Sequence, residues 1–159
     1  MRHRLQVSMA AMVLLFGVTS CDKPDKDTTI KLLKSGASTA TNFGLRKWSE
    51  KDAPGATECA NALKANINDV LLPYLNGGNL PTSSEVQALL NSSLFKNVKP
   101  DVKDAIVAAS IALDAVLPIP SADKLNQDHV DYIKAFLGGI ANGCDKFTSK
   151  EVLKHNWLK

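Results

Sequence analysis

Apolar residues recur at steps of three and four along most of this chain, the spacing that places them on one face of an α-helix. The first such stretch runs from Thr29 to about Ser49. Its apolar line comprises Ile30, Leu33, Ala37, Ala40, Gly44, Leu45 and Trp48. Gly36 and Gly44 lower helix propensity, so their presence suggests that another helix approaches closely. A loop or break at Ser35-Gly36 is the alternative interpretation.

A second helix is predicted to begin near residues 52–55, where Pro54 suits a first helical turn. Its buried line comprises Cys59, Leu63, Ile67, Val70, Leu71 and Tyr74. Pro73 should bend or end this helix, because proline lacks a backbone N–H and clashes with the preceding turn. Gly77-Gly78 then supplies the left-handed conformations that commonly follow helices, so the chain is expected to turn there.

The residues Thr82-Ser83-Ser84-Glu85 fit a capping box, in which the first and fourth side chains satisfy each other's backbone N–H groups. They predict a third helix that extends to about Phe95. Its inward residues comprise Val86, Leu89, Leu90 and Leu94. A fourth helix should begin at Pro100-Asp101, and only Ser110 and Asp114 interrupt its apolar stretch from Ile106 to Val116. A helix that is apolar almost all round is usually central in its domain.

A fifth helix is predicted to begin at Asn126, with Leu125 and Val130 placed as a hydrophobic staple. Its buried line comprises Val130, Ile133, Leu137, Ile140, Ala141 and Cys144. A second line of small residues, which lets a neighbouring helix come near, comprises Ala135, Gly139 and Gly143. Residues 148–151 are expected to cap a separate short terminal helix.

No segment combines two-residue alternation with the β-branched enrichment typical of strands. We therefore predict an all-α fold, a single irregular bundle of about five helices over residues 29–159. Setting aside the first 20 residues leaves 139 of the 159, enough for one domain with a substantial core and too few for two ordinary ones.

The first twenty residues have the layout of an export signal. Arg2 and Arg4 supply a positive start, and an apolar run follows from Val7 to Val18. That run is roughly a dozen residues long, shorter than the ~20 that a membrane-spanning helix needs. An ordinary cleaved signal and an apolar cytosolic N-terminus are the alternatives to a lipoprotein signal.

The signal ends in Val18-Thr19-Ser20-Cys21, which resembles the lipobox of bacterial lipoproteins, although Val replaces the more frequent Leu. The resemblance covers only residues 1–21. It implies that residues 1–20 are removed and that Cys21 is acylated, carries palmitate and anchors the chain in the lipid bilayer. Asp22 resembles the sorting signal that retains enterobacterial lipoproteins in the inner membrane. We therefore expect the periplasmic face of the inner membrane rather than the outer membrane.

Residues 21–28 form the lipidated N-terminus and a short charged tether, which contains Pro24 and no apolar periodicity. At roughly 3.3 Å per residue the tether, residues 22–28, reaches only about 23 Å. The helical domain should therefore lie close to the membrane surface.

The charge of the mature chain is nearly balanced. Arg2 and Arg4 belong to the signal, which leaves 17 of the 19 Lys and Arg residues against 16 Asp and Glu. A nucleic-acid partner would require a concentrated basic face, and none is visible outside the C-terminal tail. We therefore expect no nucleic acid among the partners.

Assigning Cys21 to lipid leaves Cys59 and Cys144 as a pair. In an oxidising periplasm such a pair predicts a disulfide, which would contribute about 4 to 5 kcal/mol for a loop of this length. Two small buried thiols are the alternative. A metal site is a poorer interpretation, because neither cysteine has a second ligand at a useful spacing.

The chemical inventory is thin, and it predicts no cofactor, metal ion or catalytic residue. Asp128, His129 and Asp131 form the best acid–base candidate, yet carboxylates are also favoured in the first turn of any helix. Asp114 would be costly inside an apolar helix unless it faced solvent or found a partner. Nucleophile-elbow, phosphate-loop and dinucleotide motifs are missing from the sequence.

The C-terminal residues 146–159 mix cations with apolar side chains. Lys154, Trp157 and Lys159 are possible surface contacts, either with an anionic membrane or as part of a cap on the bundle. We favour packing against the bundle, because one short helix with few anchors binds lipid weakly.

Two classes of function remain. The first is a membrane-anchored periplasmic lipoprotein that acts as a non-catalytic protein-interaction or inhibitory module on an unknown envelope protein. A phage lipoprotein that excludes superinfecting phage is one variant of it. The second is a small-ligand binder or enzyme with an atypical site near Asp128, His129 and Asp131. A deep pocket with convergent polar groups would favour the second class, and a flat exposed apolar patch the first.

Overall fold

A computed structural model describes residues 25–94, 98, 102 and 125–157. Within these residues the chain is helical and contains no strand, so the all-α class is confirmed. The helices are α1 (Lys26–Ser49), α2 (Ala53–Asn66), α3 (Leu72–Asn76), α4 (Ser83–Leu89) and α5 (Gln127–Trp157). Wider π-helical turns follow α2 at Ile67–Leu71 and α4 at Leu90–Leu94. Apart from Val102, which is helical and buried, the predicted fourth helix lies outside the described residues.

Helices α1 and α5 form the most extensive contact and run in the same direction. A Cβ atom added at Gly139 would lie 2.5 Å from the carbonyl oxygen of Lys34, and one added at Gly143 would lie 2.7 Å from that of Ser38. Real side chains do not approach so closely, so only glycine fits at these two contacts. The predicted role of Gly139 and Gly143 in close helix approach is confirmed.

Gly36 does not have the role predicted for it. A Cβ added there would meet no atom of the described residues within 4 Å, so none of the described helices approaches this position. The physical reason is its direction on α1, because the buried residues Ala37, Ser38 and Thr41 turn another side of the helix toward α5. No break occurs at Ser35-Gly36 either, since α1 is continuous from Lys26 to Ser49.

Local capping explains where several helices begin. Asp25 accepts a hydrogen bond from the backbone N–H of Thr28 at 2.8 Å, which starts α1. Asp52 caps α2 in the same way, with Pro54 in the first turn as predicted. The predicted capping box opens α4, because Thr82 and Glu85 satisfy each other's backbone N–H groups.

Pro73, predicted to bend or end its helix, does not end it. The chain remains helical to Asn76 and passes through the π-helical turn Ile67–Leu71 before it reaches Pro73 in the first turn of α3. Proline cannot donate to the preceding turn, and a locally widened helix removes the need for that hydrogen bond. The helix ends instead at Gly77 and Gly78, and Gly78 has a φ of 84°.

The π-helical turn also changes which side chains are buried. Leu63, Ile67, Leu71 and Leu75 form a buried line at intervals of four residues. Val70 and Tyr74, both predicted to be buried, are instead 41% and 43% exposed. A wider turn rotates the residues that follow it relative to a regular α-helix, which accounts for this difference.

Helix α5 contradicts the prediction of a separate C-terminal helix, because it runs without interruption for 31 residues. The hydroxyl of Thr148 donates to the carbonyl oxygen of Cys144 at 3.1 Å, a bond within the helix, and does not cap a new one. Phe147 is 1% exposed, so the helix packs into the core at this residue. The side chains of residues 150–159 are not described, so the packing predicted for the whole of residues 146–159 stays a prediction. The N-terminal staple is consistent with prediction, since Leu125 and Val130 are both buried.

Candidate functional site

The acid–base candidate lies where the first turns of α1 and α5 meet. Lys26 of α1 places its Nζ 2.6 Å from a carboxylate oxygen of Asp128 and 2.6 Å from one of Asp131. Gln127 also donates to Asp131, at 2.9 Å. The bonds to the two carboxylates raise the pKa of Lys26, and the bond from Lys26 lowers the pKa of Asp131. Both carboxylates therefore accept from a cation that sequence spacing could not reveal.

His129 is part of the helix cap. Its backbone N–H donates to the side-chain oxygen of Asn126 at 2.9 Å, and its Nδ1 lies 3.4 Å from the backbone nitrogen of Asn126. This reciprocal arrangement resembles a capping box with histidine in the place of glutamate. Asp128 and Asp131 thus join the N-termini of α1 and α5 through Lys26, and His129 caps α5. Each residue of the cluster therefore has a structural contact.

A second ion pair joins α2 to α5. Lys64 places its Nζ 2.6 Å from a carboxylate oxygen of Asp145, and this hydrogen bond raises the pKa of Lys64. Both side chains are close to half exposed. Exposed pairs of this kind fix orientation more than they stabilise a fold.

A surface groove lies at the turn between α3 and α4, and we call it the Tyr74 groove. It has a volume of about 650 Å³ and is widely open. Thr82 and Glu85 are at its polar edge, where they form the capping box of α4. The backbone N–H of Leu125 donates to the carbonyl oxygen of Pro81 at 2.9 Å, which holds this turn to the start of α5. The apolar lining of the groove comprises Pro73, Tyr74, Leu80 and Pro81.

The Tyr74 groove is an open surface lined by polar and apolar residues in similar measure, and Asn79 is among the polar ones. Tyr74 and Leu80 are 43% and 40% exposed, and Val70, one helical turn before Tyr74, is 41% exposed. Because Thr82 and Glu85 are engaged with each other, the groove suits apolar contact with another surface better than recognition of a polar small molecule.

The predicted disulfide between Cys59 and Cys144 is not confirmed, because no bond joins the two sulfur atoms in the structure. Both side chains are buried in the core and carry thiols. Burial raises the pKa of the Cys144 thiol to about 12, and Cys59 and Asp145 add to the increase. A thiol with so high a pKa forms little thiolate, so it is a poor nucleophile and a poor metal ligand.

Other site predictions fall where the structure gives no side chains to describe. Cys21, Asp22 and Asp114 lie outside the described residues. Helix α5 reaches Trp157, but the side chains of Lys154 and Trp157, like Lys159, are not described. The surface contacts predicted for these residues remain predictions.

One exposed apolar surface of α1 was not predicted from the sequence. Phe43 is 59% exposed and Leu32 is 38% exposed, and both lie on the side of α1 that carries Gly36. An apolar line at Leu32, Gly36 and Phe43 is visible in the sequence at steps of four and seven residues. This line was not predicted, because another apolar line on the same helix supplies its core residues and explains the helical spacing.

No group of three or more His, Cys, Asp or Glu side chains among the described residues is placed to hold a metal ion. None of the described helices is both long and apolar enough to cross a membrane. Comparisons with family models, with curated proteins and with solved structures find no match to the chain.

Proposed function

We propose that this protein is a membrane-anchored periplasmic lipoprotein that acts as a non-catalytic interaction or inhibitory module on an envelope protein. The Tyr74 groove is the observation that carries the contact with a partner, and the lipobox resemblance at residues 18–21 carries the anchor. Asp22 favours the inner membrane as the site of attachment.

The exposure of Tyr74, Leu80 and Val70 supports a protein partner. Apolar side chains that remain exposed next to one another are typical of interaction surfaces, and tyrosine is enriched among residues that dominate binding energy. The partner should present an apolar segment to Tyr74 and Leu80, because Thr82 and Glu85 are engaged with each other in the capping box, and Asn79 offers it a polar contact.

The acid–base cluster supports the same assignment. Asp128 and Asp131 are held by Lys26, and His129 caps α5, so each member has a contact that explains its position. The Tyr74 groove is lined by residues of α3, α4 and the turn between them, and no member of the acid–base cluster is among its described lining residues.

Capture from detergent-solubilised membranes tests the partner. The full chain, Tyr74→Ser and Leu80→Ser are compared with Asn61→Ser, a change at an exposed site on α2 outside the groove. We expect one envelope protein to be captured by the full chain and by Asn61→Ser and to be lost from both groove variants. Equal capture by all four would contradict a role for the groove.

Labelling with palmitate tests the anchor separately. We expect the full chain to incorporate the label and Cys21→Ser to incorporate none. If the full chain remained unlabelled, the lipoprotein assignment would be wrong, whatever the capture experiment showed. A phage-exclusion role is tested by plating phage on cells with and without the protein, and it predicts fewer plaques when the protein is present.

The pairing of Cys59 with Cys144 belongs to the same proposal, because an oxidising compartment favours disulfides. Forming the bond requires the two sulfur atoms to move from the positions they have in the structure, where no bond joins them. Alkylation of the protein purified from the periplasm under denaturing conditions distinguishes the states. Two modified thiols would exclude the bond, and none would establish it.

A further inference from the structure

We infer that the Tyr74 groove lies at the end of the bundle nearest the bilayer and receives the end of a transmembrane helix from its partner, an assignment that rests on the proposed function. The partner is then an integral membrane protein rather than a soluble periplasmic one. Four features support it: the length of the tether, the position of the groove in the fold, the charge of the surrounding surface and the shape of the groove.

The proposed anchor determines which end of α1 lies near the membrane. Lys26, the first residue of α1, follows Cys21 by five residues, and a fully extended chain of that length spans only about 17 Å. Helix α1 has 24 residues, so it extends about 36 Å from its start to Ser49. An acylated Cys21 therefore holds the start of α1 close to the bilayer and places no such restriction on the other end.

Two contacts join the Tyr74 groove to the start of α1. Lys26 pairs with Asp128 in the first turn of α5, at 2.6 Å. Just before that turn, the backbone N–H of Leu125 donates to the carbonyl oxygen of Pro81, which lines the groove. Because α1 and α5 run in the same direction, the starts of both helices and the turn between α3 and α4 lie together. The groove therefore belongs to the end of the bundle that the anchor holds near the bilayer.

A long uncharged stretch of chain forms the surface around the groove. The fifteen residues from Val70 to Ser84 include no acidic, basic or histidine side chain, and Val70, Tyr74 and Leu80 are exposed among them. Tyrosine is enriched where proteins meet the boundary between lipid and water, because its ring is apolar and its hydroxyl is polar. This composition suits a surface that lies next to the bilayer.

The shape of the groove favours a protein segment over the lipid itself. A bilayer surface is flat and fluid, whereas the groove is a concavity of about 650 Å³ that a protruding segment can fill. Glu85 also lines the groove, and its carboxylate would face the phosphates of lipid headgroups with the same sign of charge.

The end of a transmembrane helix has the chemistry that the lining requires. Apolar and aromatic side chains are common in its last turns, and these match Tyr74 and Leu80. Its last backbone groups have no partner within the helix, and the side-chain amide of Asn79 can donate to a carbonyl or accept from an N–H there. A partner that ends at the bilayer surface would also be within reach of a domain on so short a tether.

Fluorescence quenching in vesicles tests which end of the bundle faces the bilayer. The acylated full chain is reconstituted with phosphatidylethanolamine, phosphatidylglycerol and a lipid that carries a nitroxide on its headgroup. We expect a fluorophore on Asn79→Cys to be quenched several-fold more than one on Lys51→Cys, just beyond the far end of α1. The unmodified chain corrects for labelling of the buried native thiols. Equal quenching at the two sites, or stronger quenching at Thr39→Cys on the exposed side of α1, would overturn the orientation.

Photocrosslinking in cell membranes tests the kind of partner. A benzophenone attached to Asn79→Cys should form an adduct at a residue that flanks a transmembrane helix of one membrane protein. Leu80→Ser should reduce that adduct several-fold, and Asn61→Ser, outside the groove, is the matched control that should leave it unchanged.

The other outcomes of the crosslinking experiment separate this inference from the proposed function. An adduct with a soluble periplasmic protein would overturn a membrane-embedded partner and leave the interaction module intact. An adduct with lipid alone would assign the groove to the bilayer, and the absence of any adduct would also overturn the inference. A chain that carried no palmitate would instead contradict the proposed anchor.

Discussion

The α1–α5 pair and the corner from α2 to α4 accommodate their neighbours in opposite ways. Where α1 meets α5, the glycines Gly139 and Gly143 have no side chain, so the backbones of the two helices lie close together. At the corner, large side chains remain and the backbone widens into π-helical turns, which leaves Val70 and Tyr74 exposed. At Gly139 and Gly143 the first region has no room for a Cβ atom, and the second exposes apolar side chains to solvent. Stability should therefore be sensitive to small changes in the first and tolerant of changes on the exposed face of the second.

Adding a single methyl group to the first region is expected to have a large effect, as in Gly143→Ala. The added group would meet the carbonyl oxygen of Ser38 and the Cβ of Thr41, both 2.7 Å away. Overpacking at such a site lowers the free energy of unfolding by about 1 to 3 kcal/mol, more than the gain in helix propensity. Urea denaturation followed by circular dichroism measures the change.

Gly36→Ala is the matched control for that measurement. Its methyl group meets nothing within 4 Å, and the residue is inside α1, so the helix propensity of alanine should raise the free energy of unfolding by about 0.5 to 1 kcal/mol. Opposite signs at two helical glycines would establish that contact, rather than propensity, decides the first result. A loss of stability from both would mean that α1 is packed differently.

The helical glycines also show which helix contacts could be predicted from the sequence. Glycine within a helix indicates either a close contact or an unused position, and periodicity alone cannot distinguish them. Gly139 and Gly143 repeat at an interval of four beside a strong apolar line, and their role was predicted correctly. The close approach predicted at Gly36 was inferred only from the helix propensity that a glycine costs, and the described residues do not show it. The environment of Gly36 depends on which face of α1 meets α5.

Other features of the fold could be predicted when they depend on residues close in sequence, and could not when they depend on residues far apart. The box of Thr82 and Glu85 could be predicted because its two residues are three apart. The π-helical turn before Pro73 could not, because it depends on how α2 packs, and the exposure of Tyr74 followed from it. The ion pair of Asp128 and Asp131 with Lys26 could not be predicted, because Lys26 is 102 residues away from Asp128 in the chain.

Thr41→Val tests whether the interface between α1 and α5 contains a buried hydroxyl group without a hydrogen bond. The hydroxyls of Ser38 and Thr41 are buried without a hydrogen-bond partner among the described residues. Valine has nearly the same shape as threonine and removes the unsatisfied group. We expect the free energy of unfolding to rise by about 1 kcal/mol. Thr29→Val is the control, because the Thr29 hydroxyl donates to the carbonyl oxygen of Asp25 at 3.0 Å, so its loss should destabilise. A loss of stability in both variants would indicate that Thr41 has a partner.

A smaller effect is expected from the ion pair at the end of the same interface. The pKa of Asp131 is lowered in the folded chain, chiefly by its hydrogen bond from Lys26. The carboxylate therefore contributes stability above its unfolded pKa of about 3.9, and this contribution is lost as pH falls through the lower folded pKa. Asp131→Asn should be less stable than the unmodified chain at neutral pH, and the difference should disappear in acid. A difference that persisted in acid would assign the loss to packing.

The smallest effect on stability is expected at the corner, from Tyr74→Ser. Tyr74 is 43% exposed and borders an open groove, so its removal leaves no cavity in the core, and the free energy of unfolding should change by less than about 1 kcal/mol. Leu75→Ser, one residue further, is the contrasting variant. Leu75 is 6% exposed, and a serine there should lower the free energy of unfolding by several kcal/mol. Adjacent residues with such different sensitivities would show that this helix has one face committed to the core and another available for binding. If Tyr74→Ser were as destabilising as Leu75→Ser, the side chain of Tyr74 would belong to the core and the Tyr74 groove could not be a binding surface.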